Sequence, residues 1–156
     1  TEAAIFASRH SYFATSQRVQ AFISSCERLG IETDEKYILK GSSTRNGGYE
    51  IGKQYAALKE PPKMIFCDSD AIALGALRAF HEEGISVPGD AELLSIGMLD
   101  PEAASYYVPS LSVVEMPNKE IGQQVLRLMR KKVLNNDMSS EHVKVHAKLM
   151  LRESFS

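Results

Sequence analysis

Short apolar runs alternate along the first two thirds of the chain with longer segments whose apolar residues recur every three or four positions. The runs cover residues 3–7, 37–39, 64–67 and 93–96, and such continuous runs are typical of strands buried on both faces. Strands that alternate with helices of about 10 to 15 residues predict an α/β fold with a doubly wound parallel sheet and helices on both faces.

Three helices are predicted between these strands. The first is expected to begin at a cap formed by Thr15 or Ser16, and the second covers residues 44–59. The third is expected to begin at a cap formed by Asp70, whose carboxylate can accept orphan N–H groups of the first turn. Gly84 is expected to end it as a left-handed residue.

The pattern changes after Pro101. Residues 111–116 form an extended segment, and residues 118–134 form an amphipathic helix with a strong apolar stripe. Apolar and polar residues then alternate from Val143 to Leu151. Alternation with a period of two predicts a half-exposed strand at the edge of the sheet.

Polar residues follow the third and fourth strands at the place where ligands bind open parallel sheets, just past the carboxyl ends of the strands. Residues 68–70 and 98–100 therefore form a candidate binding edge. Arg18 is predicted in the first turn of its helix, where a guanidinium could hold ligand hydroxyls, a carboxylate or a phosphate. The alternative is an arginine that pairs with Asp70 or Asp100.

Composition indicates one ordinary globular domain, since the 156 residues are 44% hydrophobic and 24% charged. A net charge of −2 does not mark the chain as a binder of nucleic acid or membrane surfaces. No apolar run approaches the roughly 20 residues of a membrane span. Cys26 and Cys67 are expected to be reduced, buried thiols.

Enzyme motifs are absent from the sequence: there is no glycine-rich dinucleotide motif, no Walker loop and no nucleophile elbow. His142 and His146 are about 13 Å apart on a strand, which is too far to share a metal ion. The chain is therefore predicted to be no enzyme, to have no catalytic residues and to need neither cofactor nor metal.

A set of short motifs, in order along nearly the whole chain, resembles the effector-binding domain of the lactose-repressor/galactose-repressor family of bacterial transcription regulators. The matching segments are Ser16-Gln17-Arg18-Val19-Gln20-Ala21-Phe22, Asp70, Ala73-Leu74-Gly75-Ala76, residues 84–90, Ile96-Gly97, Pro109-Ser110-Leu111, Gly122 and Leu151-Arg152-Glu153-Ser154. Each motif alone is weak, but the ordered set is fairly specific.

This resemblance implies a periplasmic-binding-protein-like lobe and a chain cut from a longer protein. Residues 1–116 are expected to form most of the C-terminal lobe, residues 117–146 to belong to the N-terminal lobe, and residues 147–156 to return as a strand. Helix 118–134 is then expected to repack, to swap into another molecule or to expose its apolar stripe.

The resemblance also implies effector contacts, which we transfer by position to Arg18, Ser43, Ser69, Asp70, Leu99 and Asp100. In the family an arginine contacts the effector, and Ser69 stands where an asparagine is usual. Ser43 replaces an aromatic platform, and Leu99 replaces an acid that accepts hydrogen bonds from the ligand. The sugar-type pocket is therefore expected to be altered, so that the effector is less hydroxyl-rich, phosphorylated or absent.

The functional prediction is the effector-sensing and dimerising part of a cytoplasmic transcriptional repressor, one that controls carbohydrate-metabolism genes. Its partners are expected to be a small sugar or sugar derivative and a second copy, which would meet Leu74, Arg78 and Tyr107. DNA would be contacted only through a helix-turn-helix domain outside this chain, and no membrane partner is expected. The alternatives are a sugar-binding protein of a transport system and an α/β enzyme fragment.

Overall fold

A computed structural model describes residues 2–10, 13–97, 101–135 and 139–155. Its strands are β1 (Ala3–Ser8), β2 (Ile38–Gly41), β3 (Met64–Cys67), β4 (Glu92–Gly97), β5 (Ser112–Glu115) and β6 (Lys148–Met150). Its α-helices are α1 (Phe13–Leu29), α2 (Arg45–Ala56), α3 (Asp70–Glu83), α4 (Pro101–Ser105) and α5 (Asn118–Asn135). None of the helices in these ranges is long and apolar enough to cross a membrane.

The strands form one sheet in the order β2-β1-β3-β4-β5-β6. Strands β1 to β5 are parallel, and β6 pairs antiparallel with β5 at the edge. The predicted α/β class and wound parallel sheet are confirmed. Because five carboxyl ends point the same way, the loops that follow these strands meet along one edge of the sheet.

Helices cover both faces of the sheet, as predicted. On one face Phe6 packs edge-on against Tyr55 of α2 and Phe80 of α3, with ring centroids 5.6 and 6.3 Å away. On the other face Phe66 of β3 stacks on Phe22 of α1 at 5.6 Å. Neighbouring residues of one strand point to opposite faces, so this alternation assigns α1 to one side and the α2–α3 pair to the other.

Helices α2 and α3 approach each other closely because glycines lie at their contact. A Cβ built on Gly75 would lie 1.9 Å from the carbonyl oxygen of Arg45 and 2.5 Å from the backbone nitrogen of Tyr49. A Cβ on Gly48 would lie 2.1 Å from the carbonyl oxygen of Ile72. No side chain fits between these backbones, so the helix pair depends on the missing Cβ atoms.

Several predicted boundaries are wrong. Helix α1 begins at Phe13, before the predicted cap at Thr15 or Ser16, which moves Arg18 out of the first turn. Tyr37 ends a short 3₁₀ helix instead of opening β2, because the Asp34 carboxylate caps that turn. The last strand is confined to residues 148–150, since residues 139–147 form no strand.

The buried cysteines agree with the sequence prediction. Cys26 and Cys67 are both free and both buried. Burial raises the pKa of each thiol, and the nearby Asp68 carboxylate raises the pKa of Cys67 further. Both side chains are therefore held as unreactive thiols.

The C-terminal tail is attached to the sheet by Ser154. Its hydroxyl accepts a hydrogen bond from the Ser112 backbone N–H at 2.8 Å and donates to the Leu93 carbonyl at 2.7 Å. Beside it, the Ser110 N–H and hydroxyl donate to the Glu153 carboxylate, which lowers the pKa of Glu153. The tail thus connects β4 and β5 at a fully buried point.

Ser154→Ala is expected to lower the free energy of unfolding by about 2 kcal/mol, because a buried N–H and a buried carbonyl lose their partner. Urea denaturation followed by circular dichroism measures the change. Ser140→Ala, at an exposed position, is the matched control and should leave the midpoint unchanged. Equal midpoints for the two variants would contradict the role assigned to Ser154.

Helix α5 leaves a large apolar surface in contact with solvent. The exposed apolar side chains include Val133, Leu126 and Leu134, of which Val133 is 78% exposed. The basic side of α5 lies against residues 139–141, since Arg127 and Lys131 both form ion pairs with Glu141. The three expected outcomes for this helix are repacking, swapping into another molecule and exposure of its apolar stripe. In the structure the stripe is exposed.

Candidate functional site

The carboxyl ends of β1 and β3 are joined by a polar cluster on the edge where a ligand is expected. The Ser8 backbone N–H donates to Oδ2 of Asp68 at 3.0 Å. The Arg18 guanidinium reaches over from α1 and donates from Nη1 to the Asp68 carbonyl at 2.8 Å. Strand ends and helix are thereby fixed relative to each other, and Arg18 lies on the predicted edge.

Among the described residues, the Arg18 guanidinium is held only at Nη1. In the ranges that the structure describes it forms no ion pair, so the predicted alternative of a bond to Asp70 is wrong. An arginine has five N–H donors, and within the described residues only the bond to Asp68 uses one, which leaves the others for another acceptor. Such a fork suits a carboxylate, a phosphate or paired hydroxyls.

Asp68 is the most deeply buried polar residue of this cluster, with 2% of its surface exposed. One of its carboxylate oxygens accepts from Ser8, but Oδ1 has no hydrogen-bond partner among the described residues. A buried carboxylate oxygen without a donor costs free energy. Asp68 therefore fits a positioning role, in which it holds β1 and α1 against the end of β3. Asp68 lies on the edge predicted from the sequence, but it is not among the predicted site residues.

Ser69 caps α3 in place of Asp70. Ser69 is the residue that caps α3, because its backbone is extended (φ −154°, ψ 154°) and its hydroxyl accepts the Ile72 N–H at 3.3 Å. Asp70 is already the first helical residue, so the prediction that it caps the helix is wrong. Its side chain lies toward β4 and β5, beside a cavity of only about 10 Å³ that Gly97, Leu111 and others line.

The remaining predicted contacts are spread along the same edge or lie outside the described residues. Ser43 is exposed in the loop after β2. Because β1 lies between β2 and β3, Ser43 is about two strand spacings, roughly 10 Å, from Ser69. Leu99 and Asp100 both fall outside the described ranges.

A second surface feature is a groove of about 520 Å³ beside α3. Leu74, Arg78 and Tyr107, the residues predicted to meet a second copy, all line it, together with Val108 and other neighbours. Val108 is almost fully exposed and Leu74 is half-buried. The groove therefore combines apolar walls with a cation, and it lies apart from the Arg18 edge.

No group of three or more histidine, cysteine, aspartate or glutamate side chains within the described ranges could hold a metal ion. Within the described residues, the Arg18 edge offers a cation, hydroxyls and the carboxylates of Asp68 and Asp70. This arrangement is suited to binding a polar ligand.

Comparison with known proteins assigns the chain to a family. A family model described as a periplasmic binding protein-like domain matches residues 1–155. The chain belongs to this family. Within it the chain is an effector-binding domain of the lactose-repressor/galactose-repressor type, as the ordered motifs predicted.

Two curated relatives of this family are transcriptional repressors. The chain is 30% identical to the repressor PurR of Mannheimia succiniciproducens, covering 88% of this chain and 41% of that protein. It is 32% identical to the repressor CytR of Escherichia coli, covering 85% of this chain and 37% of that protein. The chain thus spans about two fifths of the length of these relatives.

A solved member of the family has the same fold. A regulator of the LacI family from Clostridium acetobutylicum superposes with a TM-score of 0.90 at 30% identity. The match covers 97% of this chain and 56% of that one.

The family pattern explains why Arg18 was found from the sequence while Asp68 and Ser8 were not. Arg18 lies within an ordered motif, whereas Asp68 precedes the matched Asp70. Their positions could have selected both, since Ser8 is the last residue of β1 and Asp68 directly follows β3.

Proposed function

We propose that this chain is the effector-sensing part of a DNA-binding transcriptional repressor, and that it is neither an enzyme nor a membrane protein. The observation that carries the proposal is the Arg18 guanidinium, which donates to the Asp68 carbonyl on the edge predicted to bind a ligand and has further N–H donors. The repressor names of the curated relatives support the same function. On this proposal the protein acts in the cytoplasm, where its DNA is.

The effector is proposed to be a small sugar or a sugar derivative. Arg18 and the Ser69 hydroxyl, which keeps its donor while it caps α3, would contact it. Ser43 and Asp70 would lie further along the edge, and Leu99 and Asp100 would complete it from the loop after β4. Leu99 supplies no acceptor, so the ligand would bind with fewer hydrogen bonds from this side than a hydroxyl-rich sugar needs.

Two lobes are proposed to close on this ligand. Residues 1–116 would belong to one lobe, residues 117–146 to the other, and residues 147–156 would return. The antiparallel pairing of β6 with β5 supports the return. The exposed apolar stripe of α5 supports a missing second lobe, because such a stripe is normally covered.

The groove beside α3 is proposed to be the contact between two copies of the protein. Leu74 and Tyr107 supply apolar walls, and Arg78 is held by Glu82 at 2.7 Å. A symmetric dimer would present this surface twice, as a two-fold interface requires. It would also bring two DNA-reading domains together.

The proposed mechanism is a shift between two conformations. A ligand that bridges the lobes binds the closed form more tightly, and the difference in affinity sets how far the equilibrium moves. DNA-reading domains joined to the lobes would then change their spacing. The ligand would thereby weaken or strengthen DNA binding without touching the DNA.

The full-length gene product tests this function. Its preferred DNA is selected in vitro from random duplexes, and the dissociation constant is measured by fluorescence anisotropy with a panel of sugars, sugar phosphates and nucleobases. We expect a selected site and at least one ligand that changes the constant by about 5- to 150-fold. A protein that selects no DNA sequence would contradict the proposal.

A further inference from the structure

A pocket of about 250 Å³ lies between α1 and the carboxyl ends of β1 and β2. It lies on the same edge as Arg18, next to the Ser8 end of the polar cluster, but neither Arg18 nor Asp68 lines it. Its polar lining consists of two cations, three hydroxyls and one amide: Arg9, Lys40, Ser8, Thr15, Ser16 and Gln20. No carboxylate is among its described lining residues.

The floor of this pocket is formed by two buried hydroxyl residues. Thr15 is 8% exposed, and no hydrogen bond is formed by its side chain within the described residues. Ser8 is 5% exposed, and its oxygen accepts the His10 N–H at 3.3 Å, which leaves the hydroxyl proton to donate. Two hydroxyl protons thus have no acceptor within the described residues, and a ligand with acceptor oxygens would accept a hydrogen bond from each.

The rim carries two positive charges that no described carboxylate pairs with. Arg9 and Lys40 are exposed, and neither forms an ion pair within the described ranges. Arg9 is fixed near Lys40 because its backbone N–H donates to the Gly41 carbonyl at 2.6 Å, which extends the β1–β2 pairing. Thr15 and Ser16 also lie in the first turn of α1, where the helix dipole favours an anion.

We propose that this pocket binds a phosphate group, either as inorganic phosphate or on a small phosphorylated metabolite. The oxygens would accept from Thr15 and Ser8 at the floor, and Arg9 and Lys40 would balance the charge at the rim. The volume is below the usual range of sites for drug-sized ligands, about 300–1,000 Å³, and fits a compact anion. This proposal does not depend on the effector role of Arg18.

The test is a titration of this 156-residue chain by ¹H–¹⁵N correlation NMR with inorganic phosphate, glucose 6-phosphate and glucose. Ionic strength is kept constant with chloride. We expect shifts confined to amides near Ser8, Thr15 and Lys40, saturating with a dissociation constant on the order of 1 mM. Tighter binding of glucose 6-phosphate identifies an ester as the ligand, equal binding identifies the phosphate group alone, and either result supports the site.

Two variants separate this site from general attraction to basic surfaces. Lys40→Gln and Thr15→Val should each weaken phosphate binding about fivefold, since each removes one rim charge or one floor donor. Lys59→Gln removes an exposed charge elsewhere and should leave binding unchanged. Shifts that do not saturate, equal losses in Lys40→Gln and Lys59→Gln, or equal shifts with glucose would overturn the proposal.

Discussion

Gly75→Ala is expected to lower the free energy of unfolding by about 3 kcal/mol or more. The added Cβ would lie 1.9 Å from the Arg45 carbonyl oxygen, so α2 and α3 must move apart along their contact. Overpacking of a well-packed core costs about 1 to 3 kcal/mol, and here the obstacle is backbone that cannot rotate away. Urea denaturation followed by circular dichroism measures the loss.

Gly122→Ala is the matched control, because Gly122 is a helical glycine of α5 with no neighbouring atom within 4 Å of an added Cβ. Alanine costs less than glycine in a helix, so this variant should stabilise α5 by up to about 1 kcal/mol. The same substitution is therefore expected to act in opposite directions at the two positions. If Gly75→Ala lowered the free energy of unfolding no more than Gly122→Ala does, α2 and α3 would not be in the described contact.

Arg18→Ala in the full-length gene product is expected to abolish the response to ligand, raising the ligand dissociation constant by about 100-fold. The guanidinium fork supplies charge-assisted hydrogen bonds that alanine cannot replace. Stability should change by only about 1 kcal/mol, since Arg18 is half-buried and forms one hydrogen bond with the described residues. Calorimetry measures the ligand affinity, and thermal denaturation measures the stability.

Arg28→Ala is the control for this variant, because Arg28 is an exposed arginine in the last turn of the same helix. It should keep the ligand response of the unsubstituted protein. Arg18→Lys should recover part of the affinity, since lysine keeps the charge but loses the planar fork. An Arg18→Ala protein that still responds to the ligand would remove Arg18 from the proposed site.

The fold could be predicted from the sequence because its central strands are continuous apolar runs. Strand β3 was predicted with its observed bounds, and Gly84 ends α3 with φ +73°, as its position required. The boundaries that were missed depend on local capping. Ser69 caps α3, one residue before Asp70. Serine and aspartate are both common at the N-cap, so the preference of the residue type alone does not distinguish the two positions.

The candidate site could be predicted only in part. The strand-end rule placed residues 68–70 correctly on one edge, but the rule does not tell which side chains turn toward a ligand. Asp68 turns inward to hold Ser8, while Arg18 reaches the edge from a helix whose start was misplaced. The pocket lined by Thr15 and Lys40 brings together two elements that only the folded chain places side by side.

The most direct test of the account is the location of the bound ligand. A crystal structure of the full-length gene product with the ligand that changes its DNA affinity should show a ligand oxygen within hydrogen-bond distance, about 3 Å, of the Arg18 guanidinium. The lobe containing α5 should be closed over it. A ligand bound elsewhere, with Arg18 still bonded only to Asp68, would contradict the account.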